Sequence, residues 1–222
     1  MNGALGSLLP LALGVAISPV PIMTAVLMLL AERSARTSVG YLLGWAAGVF
    51  LPLVVFTLIA GFIPSRPGDH PLRISGSLLI VIGFAITGYG IRQWSSRAHD
   101  ASDQIPGWMN SLDSLTPKRA FSLALTLSMV NPKTLLLAAS AGIIIHGADL
   151  GVVSIVVAFF WFTILGSLTI AIPVLAYCIS PSFFAGPLER ARGWLITYGS
   201  SMMAALTFLL GIFVIVVGLR NL

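Results

Sequence analysis

Apolar residues run along this chain in long blocks, without the strict alternation of half-buried strands or the one-sided stripe of surface helices. Six blocks are long enough to cross a bilayer: 5–30, 39–62, 74–94, 121–145, 152–179 and 194–219. A helical span takes ~20 such residues, and helices apolar on every face are stable only when lipid or other helices surround them. The connections are short, so the pattern predicts an all-α integral membrane protein with six transmembrane helices in a single membrane domain, 1–222.

Two of the blocks are interrupted. The first contains Ser18-Pro19-Val20-Pro21, and the fourth has Asn131-Pro132-Lys133 near its middle. Proline within a helix removes a backbone hydrogen bond and crowds the preceding turn, costing ~3 kcal/mol unless the freed carbonyl finds another donor. Polar residues flank both motifs, and each therefore predicts a broken helix. Pro52 and Pro173, in the second and fifth spans, lack polar neighbours and are expected to be packed kinks.

Landmarks recur in order along the two halves. Pro19 answers to Pro132, Pro52 to Pro173, and Gly83 to Gly211, at offsets of 113, 121 and 128 residues. The last match is the most detailed: Gly83-x6-Gly90-Ile91-Arg92 reads like Gly211-x6-Gly218-Leu219-Arg220. Repeat 1 then covers about 1–95 and repeat 2 about 118–222, joined by a connection at about 96–117. Three spans per half is an odd number, which turns the second half upside down relative to the first. The expectation is a 3+3 inverted repeat with broken helices 1 and 4, the plan of many secondary transporters. Within the connection, Ile105, Trp108, Met109, Leu112 and Leu115 follow Pro106 at helical spacing, predicting a short interfacial helix.

Composition sharpens the class. Hydrophobic residues make up 57% of the chain and charged residues 9%, and the mean hydropathy is +1.00, which excludes a soluble globule. The net charge of +5 does not point to nucleic acid, because the basic residues lie mostly in connections. There they act as topology signals. One side holds Arg33, Arg36, Arg92, Arg97, Lys118, Arg119, Arg190 and Arg192, and the other only Arg66, Arg73 and Arg220. The positive-inside rule then places both termini outside the cytoplasm. Residues 1–10 contain no Lys or Arg, so no signal peptide is expected. The single cysteine, Cys178, rules out an internal disulfide and a thiol-pair carrier.

Lys133 is the one charge near the middle of a span. If span 4 starts near Lys118, Lys133 lies about 22 Å along the helix from its basic end, beyond the reach of snorkelling. A charge left there costs at least ~2.5 kcal/mol. No carboxylate offsets it, since Glu32, Asp69, Asp100, Asp103, Asp113, Asp149 and Glu189 all fall in or beside connections. Four outcomes are open: a water-filled cavity, loss of the proton, an anionic ligand, or capture by carbonyls freed at the breaks. Lys133 also falls on the first turn of the second half-helix, whose N-terminus favours anions, as does the half-helix starting at Pro19. Ser18, Pro19, Pro21, Asn131, Pro132 and Lys133 are accordingly the candidate substrate-binding residues. Gly40, Gly44 and Gly48 form a doubled small-xxx-small stripe that predicts close helix packing, within the monomer or across a homodimer. Tyr41, Trp45, Tyr89, Trp161 and Tyr198 are expected to be interfacial or packing aromatics, while Ser128, Thr134 and Ser140 offer a weak polar path.

Together, Ala-Ile-Ser-Pro-Val-Pro-Ile in the first span, Leu43-Gly44-Trp45 in the second, Asn131-Pro132-Lys133 in the fourth and the closing Leu-Gly-x6-Gly-Leu run resemble the Sap/GAP family. These are the sulfolipid- and glycopeptidolipid-addressing proteins of the lysine exporter superfamily, and the resemblance covers nearly the whole chain. It implies six helices as a 3+3 inverted repeat and a role in moving cell-envelope glycolipids across the inner membrane, directly or beside larger exporters. Other activities of the superfamily fit less well. Metal export needs oxygen or imidazole ligands within the membrane, and the spans hold no Asp or Glu, with His146 at the end of span 4 and the other histidines in loops.

The leading expectation is a transporter for an anionic lipid or other anionic amphiphile, working by alternating access around the breaks. A small-solute exporter, with an amino acid's carboxylate as the anion, ranks second, because no carboxylate in a span awaits the ammonium. The competing class is a non-transporting scaffold for lipid-synthesis or lipid-export proteins. No acid pair, His-rich motif or activated nucleophile suggests an enzyme, and no cofactor or metal is expected.

Overall fold

Proline and asparagine set the boundaries of the helices in this computed structural model, which describes residues 2–30, 34–62, 71–96, 115–148 and 150–220. Among these residues the chain forms eight helices and no strand. They are α1 (Asn2–Ala16), α2 (Pro19–Leu30), α3 (Ser34–Gly61), α4 (Pro71–Ser96), α5 (Pro117–Val130), α6 (Pro132–Gly147), α7 (Val152–Ile179) and α8 (Pro181–Arg220). Four helices are long and apolar enough to cross a membrane. The bent pairs α1–α2 and α5–α6, angled by 56° and 70°, raise the number to six if each pair is one span.

Both expected breaks are present. At the first, α2 begins with Pro19 and takes Pro21 into its first turn, where a missing N–H is tolerated. At the second, Asn131 adopts extended backbone angles and caps α6, its side-chain oxygen accepting from the Lys133 N–H at 3.0 Å, with Pro132 behind it at the first helical position. Pro52 and Pro173, by contrast, lie inside unbroken helices. The expected interfacial helix lies outside the described residues apart from Leu115, whose carbonyl accepts from Thr37 Oγ1 at 3.4 Å. The last span lies within a longer helix, α8, which holds the candidate membrane-crossing stretch Ser201–Arg220.

Glycines set the closest approaches. A Cβ added at Gly40 would lie 2.5 Å from the Pro117 carbonyl oxygen, one at Gly44 would strike the Phe121 backbone, and one at Gly48 would lie 2.6 Å from Ser128 Cβ. Further along, Gly142 packs on Phe56 and Thr57, and Gly61 on His146. Partner numbers rise together, so α5 and then α6 run parallel to α3 from one end to the other. The glycine stripe is therefore filled by α5 of the same chain.

The α4–α8 pair is antiparallel and reciprocal. Gly83 meets Ile215 and Gly211 meets Thr87; Gly90 meets Phe208 and Gly218 meets Ile80. Each contact becomes its partner when 128 residues are added to one side and subtracted from the other. Extensive helix contacts follow the same exchange: α3 packs on α5 and α6 as α7 packs on α1 and α2, and α4 packs on α6 as α8 packs on α2. The exchange is incomplete, since α1 packs on α6 without an equally extensive contact between α5 and α2.

Candidate functional site

Three carbonyls at the end of α1 lose their ordinary helical donors. In a continuous helix Val15, Ala16 and Ile17 would accept from residues 19, 20 and 21. Pro19 and Pro21 have no N–H, and the chain turns by 56° between them and α1. Each carbonyl finds a substitute. Val15 accepts from Ser18 Oγ at 2.9 Å. Ala16 accepts from the Ser18 N–H at 2.9 Å and from Thr169 Oγ1 of α7. Ile17 accepts from Lys133 Nζ of α6 at 2.9 Å. The helical ladder resumes one step later, with Ile22 N–H donating to the Ser18 carbonyl at 3.1 Å.

Lys133 thus supplies, from 116 residues away, the hydrogen bond that Pro21 cannot. Its side chain is fully buried, as are Ser18 and the adjacent Thr134. The ammonium faces the C-terminal, electronegative end of α1, where a cation is stabilised. Of the four outcomes open for Lys133, the structure contains capture by a freed carbonyl. No ion pair to Lys133 occurs among the described residues; the described salt bridge joins Arg192 to Glu189 at 3.6 Å on α8.

The two half-helix N-termini are poorer in donors than their sequence suggests. Pro132 has no N–H and the Lys133 N–H is taken by Asn131. On α2, Pro19 and Pro21 have none, and Ile22 N–H is committed to Ser18. An anion at this level would therefore be held mainly by the Lys133 side chain. Of the candidate residues, Ser18, Pro19, Pro21 and Lys133 are buried around the first break, Asn131 is half-buried, and Pro132 is exposed.

Four helices surround this point. Helix α1 packs on α6, α6 on α3, α3 on α7 and α7 on α1, closing a ring, whereas α1 with α3 and α6 with α7 make no extensive contact. Ring residues supply polar groups whose partners the sequence did not indicate. Trp45 Nε1 donates to the Gly166 carbonyl at 3.3 Å, and Tyr41 hydroxyl to the Pro21 carbonyl at 3.1 Å, both side chains fully buried. Their fixed roles separate them from Tyr198, which is exposed beside Trp194. Buried hydroxyls also fall into two groups. Thr24, Thr57, Ser140 and Thr207 bond back to the carbonyl four residues earlier, but Ser128, Thr134, Thr163 and Ser167 have no hydrogen-bond partner among the described residues.

Buried polarity of this kind, spread over both halves, is what a family relationship has to explain. A family model described as Sap, sulfolipid-1-addressing protein, matches residues 8–220. The chain belongs to the Sap family. The matched stretch takes in both breaks, Lys133, Thr169 and the reciprocal glycines of α4 and α8, so the Sap relationship covers the whole of the candidate site. No curated protein and no solved structure matches the chain.

Proposed function

We propose that this Sap-family protein is a six-span transporter, or transport factor, of the bacterial inner membrane that carries an anionic amphiphile, with a cell-envelope glycolipid as cargo. The observation that carries the proposal is the bond from the Lys133 ammonium to the Ile17 carbonyl. It sets a single cation at the junction of two broken helices, tied by one contact that an anionic head can replace. Parallel tracking of α3 by α5 and α6 supports one continuous crossing for the broken pair, and hence six spans. The reciprocal α4–α8 contacts support the inverted repeat. With eight basic residues on one side and three on the other, both termini face away from the cytoplasm.

Transport then consists of rocking one repeat against the other about the breaks. When the head takes the ammonium, Ile17 loses its donor and the polar tie between the end of α1 and α6 is broken. The protein supplies binding and passage, with no covalent chemistry, and lipid-synthesis or lipid-export proteins are its partners in the envelope.

The same bond favours a second reading, in which Lys133 is purely a structural tie and the chain serves as a scaffold. The two separate in proteoliposomes that report movement of a headgroup-labelled anionic lipid. Lys133→Met is expected to abolish movement, and adding Pro21→Ala, which restores a backbone donor for Ile17, is expected not to recover it. Movement that survives Lys133→Met, or returns in the double variant, would show that the ammonium does not meet the cargo.

A further inference from the structure

The two broken pairs are not closed alike. Helices α1 and α6 pack together, with Gly14 against Leu137 and the Ile17 carbonyl on Lys133 Nζ. Helices α2 and α5 make no extensive contact with each other among the described residues. Each leans on α3 instead, α5 along the glycine stripe and α2 through the bond from the Tyr41 hydroxyl to the Pro21 carbonyl. Likewise α1 packs on α8, whereas α5 makes no extensive contact with α4.

Position in the bundle gives this asymmetry a direction. Arg36 lies in the first turn of α3, and Lys118 and Arg119 open α5, so α5 and the α2 start beside Tyr41 belong to the basic half. Gly61, at the far end of α3, meets His146 near the end of α6. Helices α6 and α1 therefore belong to the other half, which is shut between the broken pairs, while the basic half is parted. The offset of 113 residues that relates Pro19 to Pro132 turns the pair Ile17 and Lys133 into Val130 and Val20. Lys133 is fully buried and Ile17 half-buried, but Val20 is 41% and Val130 71% exposed. Val20 also has no side-chain donor to offer the Val130 carbonyl, so no counterpart of the Lys133 bond holds the basic half shut.

We infer that this structure is the loading state, open at the basic end, with the Lys133–Ile17 bond as the lock on the exit between α1 and α6. The opposite state forms when α1 leaves α6 and α5 closes on α2, bringing Val130 to Val20. This rests on the transport reading and deepens it by naming the side from which an anionic head is taken, the cytoplasmic side on the charge count. An anion shifts the balance only through a difference in affinity between the two states. The ammonium supplies one, since it is spent on a carbonyl while the exit is locked and is free for the head once the exit opens.

The test uses the full chain on a Cys178→Ser background in phosphatidylcholine vesicles, with Val20→Cys and Val130→Cys joined by a short bifunctional maleimide. The link is expected to form slowly with Lys133 in place and about ten-fold faster in Lys133→Met, as loss of one charge-assisted hydrogen bond implies. Leu27→Cys with Leu123→Cys, two turns nearer the basic end, should behave the same way. Pro21→Ala, which gives Ile17 another donor, is expected to speed both links in a chain that keeps its lysine. Links that form equally fast in all three chains, or faster with the lock intact, would overturn the proposal. The readout involves no lipid movement. Links that respond to Lys133→Met while lipid movement survives it leave the lock standing without the cargo reading, and movement lost with links unchanged does the reverse.

Discussion

Pro21 and Lys133 act as one unit at the scale of residues: the first deletes a donor and the second replaces it across the bundle. A consequence is strong coupling between them. In Pro21→Ala the new N–H can reach the Ile17 carbonyl, continuing the ladder that already joins Ile22 to Ser18. Lys133→Met is therefore expected to destabilise the Pro21→Ala background by ~1 kcal/mol less than it destabilises the native chain, the scale of one hydrogen bond. Unfolding of the four variants in detergent measures the cycle, and additive effects would refute the pairing. Thr169 makes a similar bond to Ala16, and Thr169→Val should cost ~0.5–1.5 kcal/mol, since the Ala16 carbonyl keeps the Ser18 N–H as a donor. Lys133 was legible in the sequence because an uncompensated charge in an apolar block has few outcomes. Thr169, Tyr41 and Trp45 were not, since hydroxyls and aromatics are ordinary in membrane helices and only their partners, on other helices, give them a role.

Elements follow the same division. Broken helices were readable because proline and asparagine act on their own backbone, whatever surrounds them. The Gly40, Gly44 and Gly48 stripe announced a close approach without naming its partner, which the fold supplies as α5. Gly44→Val is expected to destabilise the protein by ~1–3 kcal/mol through overpacking against Phe121, while Leu43→Val, on the exposed side of the same helix, should have little effect. Thermal unfolding and oligomeric mass measured together would distinguish this from a glycine face shared between two copies, for which Gly44→Val would lower the mass. Helix α8 was the least legible element. Its first twenty residues mix Phe183, Phe184 and Trp194 with Glu189, Arg190 and Arg192, a composition that suits a connection as well as the continuous helix observed.

For the whole molecule, orientation depends on summed charge and is tested by access. On a Cys178→Ser background, Gly193→Cys and Gly151→Cys offer exposed positions where a side chain meets no neighbour. A membrane-impermeant maleimide is expected to label Gly151→Cys in intact cells and Gly193→Cys only in inverted vesicles. The opposite pattern would reverse the assigned topology. Sequence by itself determined the apolar spans, the two breaks, the lone charge and the recurrence of glycines, because each rests on local composition or backbone chemistry. Tertiary structure alone decided that the charge meets the Ile17 carbonyl, that α5 fills the glycine stripe and that the glycines of α4 and α8 meet each other's helix reciprocally. Those depend on which surfaces come together from distant parts of the chain, and no local rule encodes that.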